Sequence, residues 1–356
     1  MPPAVVLVTG VSRWLGGALA AELATDPSIE RVIGVDTVPP SAEMLRRLGR
    51  TEFVRADIRN PLVGKVLGQA GVTTVVHAAL MASPRPVGGR APMQEMNVIG
   101  TMQLLAACQR SDTVERVVLR STTAVYGCGP ADPAVFGEDD STQDGRHDGP
   151  SDPVRDPMPG GYAKDAVEVE GFVRGFARRR PDVEVTVLRM ATVLGPTVEN
   201  GFTRYLAMPV VPTPAGYDPR LQLLHEDDAI EVLRRATVQA HPGTFNVAAG
   251  GVVTLTQLLR RLGRLRLPVP PVALGADGTL VRNSGVLDVT AEETRYLHYG
   301  RVVDTRRLRE RFGYEPRYDT AGTVAAFAAG LKSRPRPAAA ALGVGSRVLR
   351  RSLPVG

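Results

Sequence analysis

The sequence predicts an α/β protein in which a parallel β-sheet is covered by helices on both faces. Short runs rich in β-branched residues alternate with longer amphipathic stretches, which is the pattern typical of this architecture. The predicted strands are Val5–Val8, Arg31–Val35, Glu52–Val54, Thr73–His77, Arg116–Leu119 and Val183–Leu188, and the predicted helices lie near 14–25, 61–69, 92–110 and 162–180. A glycine turn after the first strand and an aspartate ending the second point to a doubly wound sheet.

The length and composition predict one large domain or two closely joined ones. The chain has 356 residues, 43% of them hydrophobic, which suffices for a sizeable core. The alternation weakens beyond residue 190. We therefore predict a nucleotide-binding domain over 1–190 and a smaller C-terminal α/β lobe over 191–331, either following the first domain or interleaved with it.

We predict that residues 129–161 form a long loop over the functional site. They are rich in Pro, Gly and Asp and show no periodicity, and long loops usually have a function. In that loop Glu138, Asp139 and Asp140 are candidates to bind a polar substrate, but we interpret them as a solvated acidic turn.

The net charge of +6 comes from the end of the chain. Six basic residues and no acidic ones follow residue 331: Lys332, Arg334, Arg336, Arg347, Arg350 and Arg351. The rest of the protein is close to neutral, so we expect no nucleic-acid binding. Residues 332–356, also rich in Pro and Ala, predict a basic, disordered tail.

Cysteine and histidine usage indicates neither a metal site nor a disulfide framework. Cys108 and Cys128 are the only cysteines, and the five histidines show no ligand-like spacing. No apolar run reaches the roughly 18 residues that span a bilayer, and the first residues lack the features of a signal peptide. We therefore expect a cytoplasmic protein with no membrane span.

The strongest chemical signal is the segment Thr9-Gly10-Val11-Ser12-Arg13-Trp14-Leu15-Gly16, which lies between a strand and a helix. Glycine permits the tight turn, and the free N–H groups of a helix N-terminus bind a pyrophosphate. Asp36 follows at the end of the second strand, where a carboxylate binds ribose hydroxyls and disfavours a 2′-phosphate. The first half is thus predicted to be a Rossmann-type domain that binds NAD, with NADP as the alternative.

Further motifs follow in order along about 320 residues: Asp57-Ile58 in ADIRN, His77-Ala78-Ala79, Asn97 in MNVIGT, STTAVYG at 121–127, LRMATVLGP at 188–196, HEDDA at 225–229 and FGYEP at 312–316. Together they resemble the extended short-chain dehydrogenases/reductases, in particular the NAD-dependent epimerases and dehydratases of nucleotide sugars. The resemblance implies cofactor-binding roles for Gly10, Arg13, Trp14, Leu15, Gly16, Asp36, Asp57, Ile58, Ala78, Ala79, Asn97 and Lys164.

The loop departs from that family at its middle glycine, which is replaced by Arg13 and followed by the bulky Trp14. An arginine here also resembles the loop of NADP-dependent single-domain reductases, so it conflicts with Asp36. We favour Asp36 and NAD, because a fixed carboxylate beside the ribose opposes a second phosphate charge.

The resemblance also implies a tyrosine acid/base, a lysine four residues later and a Ser or Thr on strand 5. Thr122, four residues before Tyr126, matches the last of these. We assign the lysine to Lys164, with Glu168 four residues on, which leaves Gly160 at the tyrosine position. The nearest phenol is Tyr162, two residues before Lys164. On a helix this spacing would place the two side chains on nearly opposite faces.

Two functions remain open on these residues. The first is an enzyme that moves a hydride on a sugar nucleotide or another hydroxylated small molecule, with Thr122, Lys164 and Tyr162 in the site. The second is a non-catalytic NAD(P)-binding protein that regulates a partner. The family positions that bind a nucleotide diphosphate have other residues here, namely Thr192, Leu194 and Leu221. We expect His225 to have a packing role. The resemblance also implies a homodimer formed through helices 92–110 and 162–180.

Overall fold

A computed structural model describes residues 4–82, 90–140, 161–270 and 291–333. The strands are β1 Val5–Thr9, β2 Arg31–Asp36, β3 Glu52–Arg55, β4 Thr74–His77, β5 Arg116–Thr122, β6 Glu184–Met190, β7 Thr192–Leu194, β8 Val210–Pro214, β9 Arg220–Leu221, β10 Leu223–His225, β11 Gly243–Val247, β12 Val253–Thr254, β13 Leu265–Val269 and β14 Gly300–Arg301.

The helices of the described residues are α1 Trp14–Thr25, α2 Ala42–Arg47, α3 Leu62–Ala70, α4 Arg90–Gln94, α5 Gly100–Gln109, α6 Tyr162–Arg179, α7 Gly201–Ala207, α8 Glu226–Val238, α9 Leu255–Arg261, α10 Ala291–Tyr299, α11 Arg306–Glu310 and α12 Thr320–Ser333. A π-helical turn, Glu95–Ile99, joins α4 to α5, and single 3-10 turns follow β5 and lie at Glu138–Asp140. The four helices predicted in the first half are confirmed, the third as this composite.

Seven strands form one parallel sheet in the order β11-β6-β5-β4-β1-β2-β3. The six predicted strands are all in it, so the predicted doubly wound Rossmann-type sheet is confirmed. The chain moves from β1 outward to β3 and then returns to β4 on the other side of β1. This reversal opens a crevice at the carboxyl ends of β1 and β4, where such sheets bind ligands.

The alternating side chains of the strands build two apolar layers, one on each face of the sheet. On one face Val6 and Val8 pack with Leu19 of α1 and Leu233 of α8. On the other face Leu7 and Val75 pack with Leu104 of α5 and Val173 of α6. Burial on both faces explains why the strand sequences are nearly continuous apolar runs.

In the described residues of the C-terminal lobe, three small sheets, β10-β7, β12-β9-β14 and β13-β8, lie over a third apolar cluster that includes Leu221, Leu258 and Phe327. The chain beyond residue 190 also supplies β11 to the large sheet, so the two parts interleave. The buried Asp228 of α8 accepts hydrogen bonds from the Tyr314 hydroxyl at 2.6 Å and the Arg317 N–H at 2.8 Å, which ties the HEDDA and FGYEP motifs together.

The part of the predicted long loop that the structure describes, residues 129–140, is ordered by specific contacts. Phe136 forms a parallel β-bridge with Val303. The interpretation of Glu138 as solvated is wrong: it is 8% exposed, and its Oε1 accepts the Asn246 N–H at 3.0 Å. Asp139 pairs with Arg307. Residues 141–160, including Gly160, and 334–356 of the predicted tail lie outside the described residues.

Among the described residues, no helix is long and apolar enough to cross a membrane. In the same ranges, no cluster of three or more His, Cys, Asp or Glu side chains is placed to hold a metal ion.

Candidate functional site

The glycine loop joins β1 to α1 through close backbone contacts. Gly10 has a φ of 78°, and a Cβ on it would lie 2.9 Å from the Ala79 Cα. A Cβ on Gly16 would fall closer than 3.0 Å to the Gly10 carbonyl oxygen. Both positions therefore require glycine, and the loop brings the N-terminus of α1 to the carboxyl ends of β1 and β4.

The departure at Arg13 is compatible with this loop. Arg13 has a φ of −103° and a ψ of 157°, which any residue adopts, and its N–H donates to the Gly10 carbonyl at 3.0 Å. The indole N–H of Trp14 donates to the Thr197 hydroxyl at 3.0 Å, so this ring reaches the segment after β7. Leu15 packs into the core. The larger residues leave the glycine-dependent backbone contacts intact.

Asp36 ends β2 beside the loop and is held by backbone donors. Its Oδ2 accepts the Ser12 N–H at 3.2 Å, and its Oδ1 accepts the Thr37 N–H at 2.7 Å. The side chain is buried, at 8% exposure of the residue. The carboxylate is thus fixed where a Rossmann-type domain meets the adenosine ribose.

The Asp57-Ile58 pair lies one strand further along. Arg59 binds both oxygens of Asp57, with a closest distance of 2.6 Å, and reaches Glu95 at 2.9 Å. Ile58 is buried and lies against Gly100, where a Cβ would be 2.8 Å from its Cδ1. Ala78 is buried and Ala79 is half-buried beside the glycine loop.

His77 occupies the end of β4 below the loop. Its Nδ1 lies 2.8 Å from the Thr9 hydroxyl and its Nε2 lies 2.8 Å from the Thr101 hydroxyl. Complete burial lowers the pKa of His77 to about 4, since desolvation disfavours the charged ring. The neutral imidazole therefore links two hydroxyls and supports the strand ends that form the crevice.

Asn97 lies between β4 and α6 in a buried network. It accepts the Met81 N–H at 2.8 Å, donates to the Met81 carbonyl at 3.0 Å, and donates to Asp165 at 2.9 Å. Arg90 binds Asp165 through both terminal nitrogens and the Gly161 carbonyl at 2.8 Å. This network fixes the first turn of α6 against the strand ends, so Asn97 acts on the site through Asp165.

Tyr162 is the first residue of α6, and it is buried beside β5. Its hydroxyl lies 3.2 Å from the Arg120 Nη1, and the Thr122 side chain is near enough to affect its pKa. Burial raises the pKa of Tyr162, and the Arg120 guanidinium and the Thr122 hydroxyl act in the opposite direction. The structure thus brings together two of the three predicted catalytic residues, Thr122 and Tyr162.

Lys164, the third predicted catalytic residue, is not brought to them. Lys164 and Glu168 are exposed, whereas Tyr162, Ala166 and Glu170 are buried along the opposite side of α6. This follows from helix geometry, because two residues rotate a side chain by about 200°. The lysine–glutamate pair selected from sequence therefore lies on the solvent side of the helix.

Glu170 marks the buried register of α6. Its carboxylate accepts the Ser121 hydroxyl at 2.5 Å and forms a buried ion pair with Arg189, at 2.7 Å. Arg189 also donates to the Tyr126 hydroxyl at 2.9 Å, and burial raises the pKa of Tyr126 to about 12. Sequence reasoning missed Arg120, Asp165 and Glu170; the four-residue spacing of Tyr162, Ala166 and Glu170 was an available signal for Glu170 alone.

The C-terminal lobe closes over the start of α6 from the other side. Glu292 of α10 accepts the Ala163 N–H at 2.9 Å, and burial raises the pKa of its carboxyl. The Tyr296 side chain lies near Thr192, and Arg301 donates to the Gly127 carbonyl at 2.8 Å. Tyr296 and Arg301 are buried, so this part of the lobe packs closely against the segment after β5.

His225 lies at the N-terminus of α8, away from that group. Its Nδ1 accepts the Asp227 N–H at 3.2 Å, and its ring stacks on Tyr318 with centroids 3.7 Å apart. Its position fits the packing role expected from the sequence.

The model of the NAD dependent epimerase/dehydratase family matches residues 6–248, more than half of the chain. The chain belongs to this family. The matched range begins in β1 and ends directly after β11, so it contains the glycine loop, Asp36, Thr122 and α6.

Two relatives of this family member are uncharacterized proteins from Mycobacterium tuberculosis (strain ATCC 25618 / H37Rv) and Mycobacterium bovis. Each is 49% identical over 318 residues, covering 89% of this chain and 81% of the relative.

Solved structures show the same fold at low sequence identity. A UDP-glucose 4-epimerase from Thermotoga maritima with UDP-glucose has a TM-score of 0.67 at 19% identity and covers 92% of this chain and 98% of its own. A UDP-glucuronic acid 4-epimerase from Bacillus cereus, with UDP-glucuronic acid and NAD, has a TM-score of 0.68 at 18% identity over 92% and 99%. A dTDP-glucose 4,6-dehydratase from Bacillus anthracis with NAD has a TM-score of 0.69 at 15% identity over 93% and 97%.

Proposed function

We propose that this family member is an NAD-dependent epimerase, dehydratase or reductase acting on a sugar nucleotide or another hydroxylated small molecule. The observation that carries the proposal is the buried Tyr162 hydroxyl beside Thr122, at the end of the sheet where the glycine loop lies. We propose that Tyr162 holds the family's tyrosine position, which places Ala166 where the family has its lysine. Gly160 and Lys164 are then outside the catalytic group.

The loop and its neighbours fit a dinucleotide. The glycine positions that a Cβ would block keep the backbone close at the α1 N-terminus, where a pyrophosphate binds. The fixed carboxylate of Asp36 supports NAD rather than NADP, because it accepts ribose hydroxyls and opposes a 2′-phosphate. Gly10, Gly16 and Asp36 would hold the cofactor, with Ile58 against the adenine. When bound, NAD supplies a hydride acceptor.

In the oxidative direction Tyr162 acts as the base and Thr122 orients the reacting oxygen. The substrate hydroxyl gives its proton to the Tyr162 oxygen while its carbon-bound hydrogen leaves as hydride. In the reverse direction the Tyr162 hydroxyl returns that proton to the carbonyl oxygen. Because burial raises the pKa of Tyr162, oxidation should accelerate as the pH rises toward that pKa.

A nucleotide sugar is the substrate class best supported. The solved relatives named above include proteins with UDP-glucose and UDP-glucuronic acid bound. The homodimer stays a prediction of the resemblance. In the predicted interface helix 92–110, Ile99 is 41% exposed and Met102 is 37% exposed.

The test measures turnover of a panel of UDP- and dTDP-sugars with NAD. NMR of the sugar and the absorbance of reduced nicotinamide detect the reaction. Tyr162→Phe should lower kcat by about 10²- to 10⁴-fold, because the acid/base group is removed. Lys164→Ala is the matched control and should leave kcat unchanged. Full activity of Tyr162→Phe, or loss of activity in Lys164→Ala, would contradict these assignments.

A non-catalytic NAD-binding protein is the second candidate, and Ala166 favours it, since a buried alanine stands one turn after Tyr162. Under this function the protein binds NAD, but none of the sugars changes the absorbance of the nicotinamide. The same panel therefore separates the two candidates.

A further inference from the structure

We propose that Arg120 of β5 supplies the positive charge that the family's lysine provides beside the tyrosine, so that Arg120 stabilises the phenolate form of Tyr162. This inference rests on the proposed function of Tyr162. It assigns the charge to a strand rather than to the helix that carries the tyrosine.

The position of Arg120 is fixed from two sides. Its Nη1 donates to the Tyr162 hydroxyl oxygen at 3.2 Å and to the Leu80 carbonyl at 3.1 Å. Arg120 also stands two residues before Thr122 in β5, and residues two apart in a strand point to the same face. The guanidinium, the Thr122 hydroxyl and the Tyr162 hydroxyl therefore meet at one point of the crevice.

Helix α6 does not supply this charge from its own first turns. Ala166 is fully buried in the core and carries no charge. Lys164 is exposed on the far side. The nearby Arg90 is bound by both carboxylate oxygens of Asp165, so its charge is balanced by that carboxylate.

Among the described residues, no carboxylate balances the charge of Arg120 in this way. Its Nε is buried and, within the described part of the chain, has no hydrogen-bond acceptor; the acceptors of its Nη1 are a phenol and a carbonyl. A cation beside a phenol favours the phenolate. Glu292 of α10 acts in the opposite direction on Tyr162, so Arg120 counteracts both burial and that carboxyl group.

Replacing lysine by arginine has a chemical consequence. A guanidinium stays protonated throughout the working range and accepts no hydrogen bond, so it stabilises the phenolate but takes no proton from it. The proton that Tyr162 gains from the substrate therefore stays on Tyr162 until it returns to the carbonyl oxygen or passes to a group other than Arg120.

The experiment is a titration of the Tyr162 hydroxyl in the full-length protein without cofactor or substrate. All eight tyrosines are replaced by a fluorotyrosine, which lowers the pKa of every phenol into the range where proteins stay folded. The titration is then followed by ¹⁹F NMR, and Tyr162→Phe assigns the signal. Arg120→Met should raise the pKa of Tyr162 by about 1 to 3 units, as expected for loss of a neighbouring opposite charge.

Two further variants make the result specific. Arg120→Lys keeps a cation and should give a smaller increase, and it replaces Arg120→Met as the test if the latter does not fold by circular dichroism. Lys164→Met removes the exposed lysine and should leave the Tyr162 pKa unchanged.

An unchanged Tyr162 pKa in Arg120→Met, or an equal change in Lys164→Met, overturns the assignment to Arg120. Either result would leave the proposed function intact, because that depends on turnover by the wild type and its loss in Tyr162→Phe.

Discussion

The two ends of the crevice, the glycine loop and the start of α6, are held by different kinds of contact. At the loop, backbone meets backbone, and Gly10 and Gly16 leave no room for a Cβ. At the start of α6, side chain meets side chain, through Tyr162 with Arg120 and through Asp165 with Arg90. The loop end therefore depends on residue size at fixed positions, whereas the proposed catalytic end depends on charge, which a neighbouring element can supply.

The largest effect should come from breaking the backbone contacts. Gly16→Ala places a methyl group against the Gly10 carbonyl, and overpacking of this kind should destabilise the fold by about 3 kcal/mol and weaken NAD binding. The measurements are urea unfolding and NAD titration. Gly68→Ala in α3 is the matched control, because nothing lies within 4 Å of its added Cβ; it should be neutral or stabilise by up to about 1 kcal/mol. Equal losses in both variants would contradict the steric explanation.

A medium effect should appear at His77, which supports the loop from below. The pKa of His77 is lowered from 6.5 to about 4, so between these values the unfolded chain binds a proton that the folded chain does not. Stability is therefore lost as the pH falls through this window. Between about pH 7.5 and about pH 5 the loss should be about 2 kcal/mol.

The unfolding free energy of wild type and His77→Gln at the two pH values checks this expectation. The variant should lack this part of the acid sensitivity, because glutamine does not titrate. If the unfolding free energies of the two proteins changed equally with pH, folding would not lower the pKa of His77.

The smallest effect should come from Asp36, a charged group at the loop end. Asp36→Asn removes the carboxylate, so the ratio of NAD to NADP affinity should fall by about tenfold, which is about 1.4 kcal/mol. Titration with both cofactors measures it. An unchanged ratio would show that selectivity at this end, too, depends on backbone shape alone.

The fold could be predicted from the sequence because its signals are local. The strand runs, the glycine turn and Asp36 each report on their own backbone, and parallel strands buried on both faces read as apolar runs. The loop end of the site was predictable for the same reason. Arg13 departs from the family's middle glycine, but its extended backbone angles show that this position does not depend on glycine.

The catalytic end was only partly predictable, because α6 contains two overlapping patterns. Lys164 with Glu168 and Ala166 with Glu170 have the same four-residue spacing, and the sequence favoured the pair with the lysine. In the structure, Ala166 and Glu170 are the buried pair, and Glu170 contacts Ser121 and Arg189. The partner of Tyr162, Arg120, lies 42 residues away in sequence, so no local pattern connects the two.

The position of β11 has a consequence for how the protein is made. During synthesis β6 emerges at Glu184–Met190, but its outer neighbour, Gly243–Val247, follows only after β7 to β10 and α7 and α8 have been added. Until then β6 is an open edge with unpaired backbone groups, which favours pairing with other chains. The edge at β6 is therefore protected only after β11 has been synthesised. A fragment that stops before β11 would be prone to aggregate.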